Sequence, residues 1–349
     1  MVIKTDLCDL FGIKYPIVQA AMGGYASCLP DLTAAVSNAG GLGVISHAAS
    51  PLLSELISPG ETKTDPVKEV IEMSISAIHK VLSLTDKPFG INVRTAALQM
   101  DAELLLNAIL EEVESDSHIA KGLKVLVTSA GSPGCFGLNK RIKKAGLLHF
   151  HTVATPHHAM KAEEKGMDGI IASGYEGGGH VNPYTPIHTF VLVPAVAETV
   201  DMPVLAAGGM VDGKSLVAAL SLGAQGIYMG TRFVASKESE YHNNYKKIIS
   251  NSSVTDTIVT KGFLGDLRAL NNNGVKEIIK LTERDHSEIE RLAFEAKKRL
   301  IGVNGDMDEG FIPMGQVAGR IHSILSAKDI IEGIMSEAEE VRQKLMSFG

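Results

Sequence analysis

Residues 203–233 read PVLAAGGMVDGKSLVAALSLGAQGIYMGTRF, and this stretch decides the fold. An apolar strand ends in Gly208 and Gly209, a helix begins near Asp212, and a second apolar strand ends at Gly230. Continuous apolar strands joined by a single helix are typical of a parallel sheet that is covered on both faces. The stretch therefore predicts one βα unit of an α/β protein, with two glycine-rich strand ends at the same edge of the sheet.

Eight apolar runs of this kind occur along the chain, and amphipathic helical stretches separate them. Most runs are continuous rather than alternating, as expected for buried parallel strands. Eight consecutive units favour a closed (β/α)8 TIM barrel over an open doubly wound sheet, which usually has fewer strands. The predicted strands begin at Pro16, Leu42, Phe89, Lys124, Leu148, Asp168, Pro203 and Gly226.

The pattern changes after the eighth strand. Residues 1–234 are predicted to form the eight-stranded barrel. Residues 235–310 have a helical pattern around a polar, Asn-rich middle, which indicates a helical insertion or lid. Residues 311–349 regain an apolar rhythm that ends in a long helix, and we expect them to return to the barrel. The predicted fold class is thus α/β, a (β/α)8 TIM barrel with a C-terminal helical insertion or lid segment.

The composition excludes several classes of protein. Apolar residues make up 45% and charged residues 21%, as in ordinary globular chains, and the net charge is -7 without any basic block. We therefore expect no nucleic-acid partner and no membrane partner. The three cysteines are an odd number without metal-like spacing, and the N-terminus does not look like a secretory signal. These features predict a cytoplasmic enzyme of small molecules without a metal site.

The glycines after the seventh and eighth predicted strands indicate a phosphate site. In TIM barrels the loops after these two strands form a phosphate cradle from backbone N–H groups and a helix N-terminus. Glycine is needed there because a Cβ would hold the phosphate away from the amides, and Thr231 adds a hydroxyl donor. A tight turn would also explain two glycines, but their occurrence on two consecutive strands favours the cradle. Position alone does not tell whether the phosphate belongs to a flavin, a sugar or a nucleotide.

Polar groups at other strand ends are candidates for the chemistry. His180 follows Gly177–Gly179 after the sixth strand, and an imidazole there can donate a hydrogen bond or accept a proton near neutral pH. Asn92 ends an apolar strand, where an amide is costly unless it is paired, so we predict a ligand contact. The end of the first strand offers backbone groups of Ala21, Met22 and Gly23.

Other histidines and the cysteine of the Gly-rich loop receive less weight. We interpret four histidines as ordinary loop residues, although His151 stays a candidate because it lies at a strand end; the four are His149, His151, His157 and His158. For Cys135 we favour a buried or incidental role over a catalytic one.

Seven motifs carry a resemblance to known enzymes. They are, in chain order, QAAMGG, SNAGGLG, PFGINV, EGGGH, AAGGMVDG, ALSLGAQGIYMGTRF and GFIPMGQVAG. Together they resemble the nitronate monooxygenase family, formerly called 2-nitropropane dioxygenases, and flavin-dependent enoyl-acyl-carrier-protein reductases are similar in the same motifs. The resemblance implies an FMN-containing barrel in which His180 matches the active-site histidine. It also implies FMN contacts at Ala21, Met22, Gly23, Asn92, Ser173, Gly178, Gly179, Ala207, Gly208, Gly209, Gly230, Thr231 and Gln316.

The chain departs from the family pattern at three places. Ala21 stands where the family usually has proline, and residues 181–184 replace a basic residue or isoleucine followed by glycine. Asp266 and Leu267 stand where the resemblance leads us to expect Arg-Pro. These positions concern the substrate mouth rather than the flavin.

The resemblance implies FMN-dependent oxidation of alkyl nitronates by molecular oxygen, with His180 stabilising the anion or removing the α-proton of a nitroalkane. An NAD(P)H-dependent enoyl-acyl-carrier-protein or quinone reductase on the same barrel is the alternative. A flavin-free sugar-phosphate isomerase or lyase is an alternative of another class, because the cradle alone permits it. The physiological substrate, the choice between NADH and NADPH, and the oligomeric state, a homodimer included, stay open.

Overall fold

The computed structural model describes residues 3–22, 28–48, 65–96, 99–182, 185–262, 265–282 and 287–348. All eight predicted barrel strands are confirmed. A short strand, β7, belongs to a second sheet described below. The barrel strands are β1 (Ile17–Gln19), β2 (Gly43–Ile45), β3 (Phe89–Arg94), β4 (Leu123–Ser129), β5 (Leu148–Val153), β6 (Gly169–Ser173), β8 (Val204–Ala207) and β9 (Gly226–Met229).

The eight strands are parallel and close into a barrel. Their order is β1-β9-β8-β6-β5-β4-β3-β2, so each strand lies beside its neighbours in the chain. The ends of this sheet meet where Val18 pairs with Leu42. There Gln19 N–H donates to the carbonyl of Leu42 (2.9 Å) and Leu42 N–H donates to that of Ile17 (3.0 Å). The closure confirms the predicted (β/α)8 TIM barrel.

The helices begin at the signals that the sequence carries. For example, α7 has Pro156 at its first position, and the Thr155 side chain caps it by accepting the N–H of His158 (3.1 Å). The helices are α1 (Asp6–Phe11), α2 (Pro30–Asn38), α3 (Pro66–Leu84), α4 (Ala102–Ser115), α5 (Ser117–Gly122), α6 (Asn139–Lys144), α7 (Pro156–Glu164), α8 (Thr189–Ala197), α9 (Gly213–Ser221), α10 (Thr231–Val234), α11 (Asn243–Asn251), α12 (Asn273–Thr282), α13 (Glu288–Val303) and α14 (Ala327–Met346). Two 3₁₀ helices cover Cys135–Gly137 and Gln316–Arg320.

The core fills the barrel and the layer between the barrel and its helices. Inside the barrel, Phe150 packs edge to face on Phe11 of α1, with ring centroids 4.9 Å apart. A Cβ at Gly169 would lie 2.2 Å from the Phe150 ring, so the glycine makes room for it. On the outside, α14 lies so close to α9 that a Cβ at Gly213 would come within 2.3 Å of Ala338 N. Within the described residues, no helix is both long and apolar enough to cross a membrane.

The segment 235–310 is not purely helical. It contains α11, α12 and α13, but also a hairpin of β10 (Thr257–Gly262) and β11 (Gly265–Leu270). The short strand β7 (Gly179–His180) pairs with β11, which makes a three-stranded antiparallel sheet. The prediction of helices throughout this segment is therefore wrong for the hairpin, whose β-branched TIVT run suits a strand once it has a partner. The domain limits drawn at residues 234 and 310 stay a prediction.

Candidate active site

A cavity of about 1170 Å³ opens at the carboxyl ends of the barrel strands. Each barrel strand, or the loop directly after it, contributes to the wall, and the insertion covers it through residues such as Leu267, Arg299 and Phe311. This is where TIM barrels build their active sites. Twelve predicted site residues line the cavity: Ala21, Met22, Asn92, Ser173, Gly178, Gly179, His180, Ala207, Gly208, Gly209, Gly230 and Thr231.

Two predicted site residues are not among the described residues that line the cavity. Gly23 lies outside the described residues. Gln316 begins a 3₁₀ helix beside the cavity, where its N–H donates to the carbonyl of Glu176 (3.1 Å). Its neighbours Gly315 and Val317 line the wall instead. The FMN contact expected of Gln316 stays a prediction.

The glycine cradle after β8 and β9 has free donors. Gly208 and Gly209 have φ values of +88° and +72°, which an L side chain rarely adopts. Within the described residues, the N–H groups of Gly208, Gly209, Met210 and Gly230 have no protein acceptor. The Thr231 hydroxyl accepts the Gly315 N–H (3.0 Å), which leaves its proton available for donation. Converging amides of this kind suit a phosphate.

The close approach at Gly208 explains why no other residue fits there. A Cβ would lie 2.8 Å from Thr189 Oγ1 and 2.9 Å from the carbonyl oxygen of Gly174. Gly178 is restricted for another reason, since its Cβ would lie 2.5 Å from the backbone nitrogen of Gly315. Both glycines therefore shape the cavity wall as well as facing its interior.

The polar groups at the first and third strands are partly satisfied by the protein. The N–H of Ala21 donates to the Tyr228 hydroxyl (2.9 Å), and that of Met22 donates to Ser46 Oγ (2.8 Å). These two N–H groups are therefore not offered to a ligand, contrary to what the strand end suggested. The Asn92 amide donates to the Val127 carbonyl (3.1 Å) and to Ser129 Oγ (3.2 Å), and the ligand contact expected of Asn92 stays a prediction.

His180 is held in the cavity wall by the second sheet. In the antiparallel register it lies opposite Leu267, and Gly179 before it has a φ of +79°. The imidazole is reached by solvent through the cavity, yet protein surrounds it, and this desolvation lowers its pKa below the ordinary 6.5. The cations Arg299 and Arg94 lower the pKa further. His180 is therefore neutral at pH 7, able to donate from one ring nitrogen and accept at the other.

Arg94 and Arg299 are cavity residues that sequence reasoning did not single out. The Arg94 guanidinium donates to the Ala48 carbonyl (2.5 Å). Its backbone N–H donates to His47 Nδ1 (2.9 Å), and His47 Nε2 lies 2.7 Å from Asp101 Oδ2. The Arg299 guanidinium lies over the Phe311 ring, 4.8 Å from its centroid, and the strand pattern carried no signal for either arginine.

Two histidines interpreted as loop residues lie in β5 instead, so that interpretation is wrong for them. His149 and His151 are buried, and both lie 2.8 Å from the hydroxyl of Thr128. Burial lowers the pKa of His149 to about 3 and that of His151 to about 4. Cys135 is also buried, as favoured from the sequence, and burial raises the pKa of its thiol to about 11.

The strand ends of this barrel combine a glycine cradle with a neutral imidazole in one cavity. This combination defines a class of protein. Such proteins are TIM-barrel enzymes that bind a phosphorylated cofactor beside the reacting groups. The family model described as nitronate monooxygenase matches residues 4–337, and the chain belongs to this family. Its cradle fits the phosphate of a flavin, and the protein is a flavin-dependent oxidoreductase.

Three similar proteins agree with this assignment. A (3aS,4S,5R,7aS)-5-hydroxy-7a-methyl-1-oxo-octahydro-1H-indene-4-carboxyl-CoA dehydrogenase of Rhodococcus jostii (strain RHA1) is 30% identical over 96% of both chains. A probable nitronate monooxygenase of Staphylococcus aureus (strain MSSA476) is 30% identical over 97% of this chain and 99% of that protein. The solved structure of FabK from Thermotoga maritima is 33% identical, with a TM-score of 0.81 over 99% of this chain and 100% of that one.

Proposed function

We propose that this protein is an FMN-dependent enzyme that oxidises alkyl nitronates with molecular oxygen. The observation that carries the proposal is the imidazole of His180 in the wall of the same cavity as the glycine cradle. The cradle suits one terminal phosphate, which supports FMN rather than a dinucleotide. Bound FMN would supply the electron transfer, and the protein would supply binding, orientation and electrostatics.

The residues of the cavity divide this work between them. Amides of Gly208, Gly209 and Gly230, with the Thr231 hydroxyl, would hold the phosphate. The N–H of neutral His180 would donate to the anionic substrate, where a fixed donor contributes roughly 3 kcal/mol to stabilising developing charge.

The lowered pKa of His180 also indicates which substrate form is favoured. A weaker base removes an α-proton less well, so a neutral nitroalkane gains little from this imidazole. A pre-formed nitronate needs no such base, and the Arg94 cation in the same cavity favours its negative charge, whereas Arg299 is paired with Glu295 (2.7 Å). We therefore propose nitronates rather than nitroalkanes as the substrate class.

A second candidate is an NAD(P)H-dependent reductase on the same flavin barrel, acting on an enoyl thioester or a quinone. The observation that favours it is the cavity, which at about 1170 Å³ exceeds the range usual for a single small ligand. The similarity to a carboxyl-CoA dehydrogenase and to FabK supports it as well. The flavin-free alternative is wrong, because the chain belongs to a family of flavin-dependent oxidoreductases.

One experiment separates the two candidates. The purified protein is mixed without oxygen with propyl nitronate, with NADH or with NADPH, and the visible flavin absorbance is followed. We expect rapid bleaching by propyl nitronate and recovery when oxygen is admitted. Bleaching by NADH or NADPH alone supports the reductase instead, and colour unchanged by all three contradicts both. Denaturation should release FMN, and release of FAD contradicts the cofactor proposal.

A further inference from the structure

His180 is held by the insertion rather than by the barrel ladder. Among the described residues, its strand β7 pairs with β11 of the hairpin and with no barrel strand. In this register His180 lies opposite Leu267, and the next residue, Val181, donates its N–H to the Asp266 carbonyl (2.9 Å). The position of the imidazole therefore depends on how the hairpin sits on the loop between β6 and β7.

Arg268 joins the hairpin to that loop. Its side chain is 4% exposed. Nε and Nη2 both donate to the carbonyl of Tyr175, at 3.2 and 3.1 Å, and Nη1 donates to Thr257 Oγ1 at 3.1 Å. The guanidinium also lies over the Tyr175 ring, 5.3 Å from its centroid. One side chain thus connects β11, β10 and the loop that leads to His180.

Such a buried guanidinium is expensive if it serves only to fill space. Burial lowers the pKa of Arg268, which means that the surroundings disfavour its charge. An apolar side chain of similar volume would be the cheaper choice for packing alone. The fork of donors instead fixes the direction of one carbonyl, a geometry that lysine does not reproduce. The arrangement is therefore better explained by positioning than by stability.

We propose that Arg268 is a positioning residue for His180, which locks the β10–β11 hairpin onto the loop and so sets the imidazole in the cavity wall. The proposal rests on the proposed function in one respect, because it takes His180 as the group that meets the substrate. The residue before His180 agrees with it. Gly179 has a φ of +79° and open space where a Cβ would lie, so it offers no side chain to support the imidazole.

The first test compares Arg268→Ala, Arg268→Lys and a matched control, Arg141→Ala. Arg141 also donates from Nε and Nη2 to one partner, Glu114 (2.9 and 2.7 Å), but lies on the surface outside the cavity wall. We expect Arg268→Ala to retain FMN while kcat for propyl nitronate falls about 100-fold, the usual effect of a small misplacement. Added guanidinium ion should restore much of this kcat, whereas Arg268→Lys should stay impaired and Arg141→Ala should match the wild type.

Two outcomes of this test overturn the proposal. One is a wild-type kcat in Arg268→Ala. The other is loss of FMN and of thermal stability in proportion to activity, without rescue by guanidinium, because that pattern describes a structural role. If Arg268→Ala does not fold, the same comparison is made with Arg268→Lys, which retains the charge and the stem.

A second test does not depend on turnover. The His180 imidazole is titrated by NMR in the FMN-loaded protein with labelled histidine, and His180→Ala assigns its signal. In the wild type we expect it to stay neutral well below pH 6.5, and in Arg268→Lys to titrate closer to 6.5 because it becomes better solvated. The charged groups that share its cavity are Arg94 on β3, Lys161 on α7, Lys261 on β10, Asp266 on β11, and Arg291, Glu295 and Arg299 on α13.

The two tests separate this proposal from the proposed function. A shifted His180 titration in a protein that does not oxidise nitronates rejects the nitronate function and retains the positioning role. Identical titration curves in the wild type and Arg268→Lys reject the positioning role, whatever substrate the enzyme uses.

Discussion

The neutral state of His180 determines what its removal should do. Because the imidazole acts on substrate rather than on the cradle, we expect His180→Ala to retain FMN and the fold. The kcat/KM for propyl nitronate should fall about 10²–10³-fold, the usual loss for one well-placed donor. Turnover of neutral nitropropane should fall no further, because an imidazole of lowered pKa contributes little to removing its α-proton. The exposed His118→Ala is the control, and a variant that oxidises both forms at wild-type rates contradicts the role of His180.

The cradle glycines are not equivalent as sites for mutation. Gly209 has a φ of +72°, so any side chain there strains the backbone, whereas Gly230 has a φ of -97°. A Cβ at Gly230 would meet Met22 Sδ at 3.4 Å, Met22 Cγ at 3.5 Å and Ala20 Cβ at 3.8 Å, which are ordinary contacts. Gly230→Val therefore tests the phosphate site without disturbing the fold.

We expect Gly230→Val to weaken FMN binding at least about tenfold while the melting temperature of the flavin-free protein stays unchanged. Quenching of free FMN fluorescence on titration measures the affinity. Gly333→Val on α14, where a Cβ has open space around it, is the matched control. Equal FMN affinity in the two variants would place the phosphate elsewhere.

Single residues were predictable only where a local pattern marked them. His180 and the cradle glycines stand at strand ends that the sequence displays. Arg94 and Arg299 come from distant segments, and only the folded barrel brings both to the cavity. The strand that contains His149 was predicted, but His149 itself was interpreted as a loop residue. Its partner Thr128 lies on the neighbouring strand, so no local pattern in the sequence marked the pairing.

At the scale of the element, the start of α9 is the most completely specified. The Asp212 side chain accepts the Ser215 N–H (2.9 Å), and Ser215 Oγ accepts the Asp212 N–H (3.0 Å), a reciprocal cap. Asp212 Oδ2 also meets Arg320 at 2.5 Å, a half-exposed ion pair that contributes little. This element orders the chain directly after the cradle glycines.

We expect Asp212→Ala to lower the free energy of unfolding by about 1–2 kcal/mol, because it leaves the Ser215 N–H in the first turn of α9 without its acceptor. Asp212→Asn retains an acceptor and should lose much less. Urea unfolding at pH 7 measures both variants. If the asparagine variant is as unstable as the alanine variant, the ion pair with Arg320 rather than the cap provides the stability.

The hairpin shows where element prediction reached its limit. The TIVTKG run from Thr257 is short and lies between polar stretches, so its helix and strand patterns were equally weak. Its strand conformation is stabilised by pairing with β11. The strand β11 in turn pairs with β7, which precedes the hairpin by two barrel strands in the chain. Long, strongly apolar strands such as β4 needed no such information, and they were placed correctly.

At the scale of the whole molecule, the barrel followed from the count of βα units, because eight right-handed units return the last strand to the first. The shape of the cavity could not be predicted from the count of βα units. Its outer wall consists of α12, α13 and the hairpin, and their docking on the barrel mouth is a tertiary arrangement without a sequence period. The place of the cavity at the strand ends was thus predictable from the barrel, while the shape of the cavity was not.

The buried histidines of β5 make the stability of the whole fold depend on pH. His149 and His151 have folded pKa values of about 3 and about 4, against 6.5 for an unperturbed imidazole. Above pH 6.5 both histidines are neutral in the folded and in the unfolded chain, so their burial does not make the free energy of unfolding depend on pH. Below pH 6.5 the unfolded chain takes up protons that the folded chain refuses. Stability is therefore lost as pH falls from 6.5 toward the folded pKa values.

Each of the two groups should contribute a slope of up to about 1.4 kcal/mol per pH unit in this window. We expect the free energy of unfolding of His149→Gln to fall less steeply between pH 6.5 and 4.5, as judged by urea unfolding at a series of pH values in that range. The slope for the wild type should exceed the slope for the variant by the equivalent of nearly one bound proton, because the two proteins have all other titrating groups in common. His118→Gln, on the surface, should keep the wild-type slope. Parallel curves for His149→Gln and the wild type would mean that His149 already binds its proton in the folded state, and that burial does not hold it neutral.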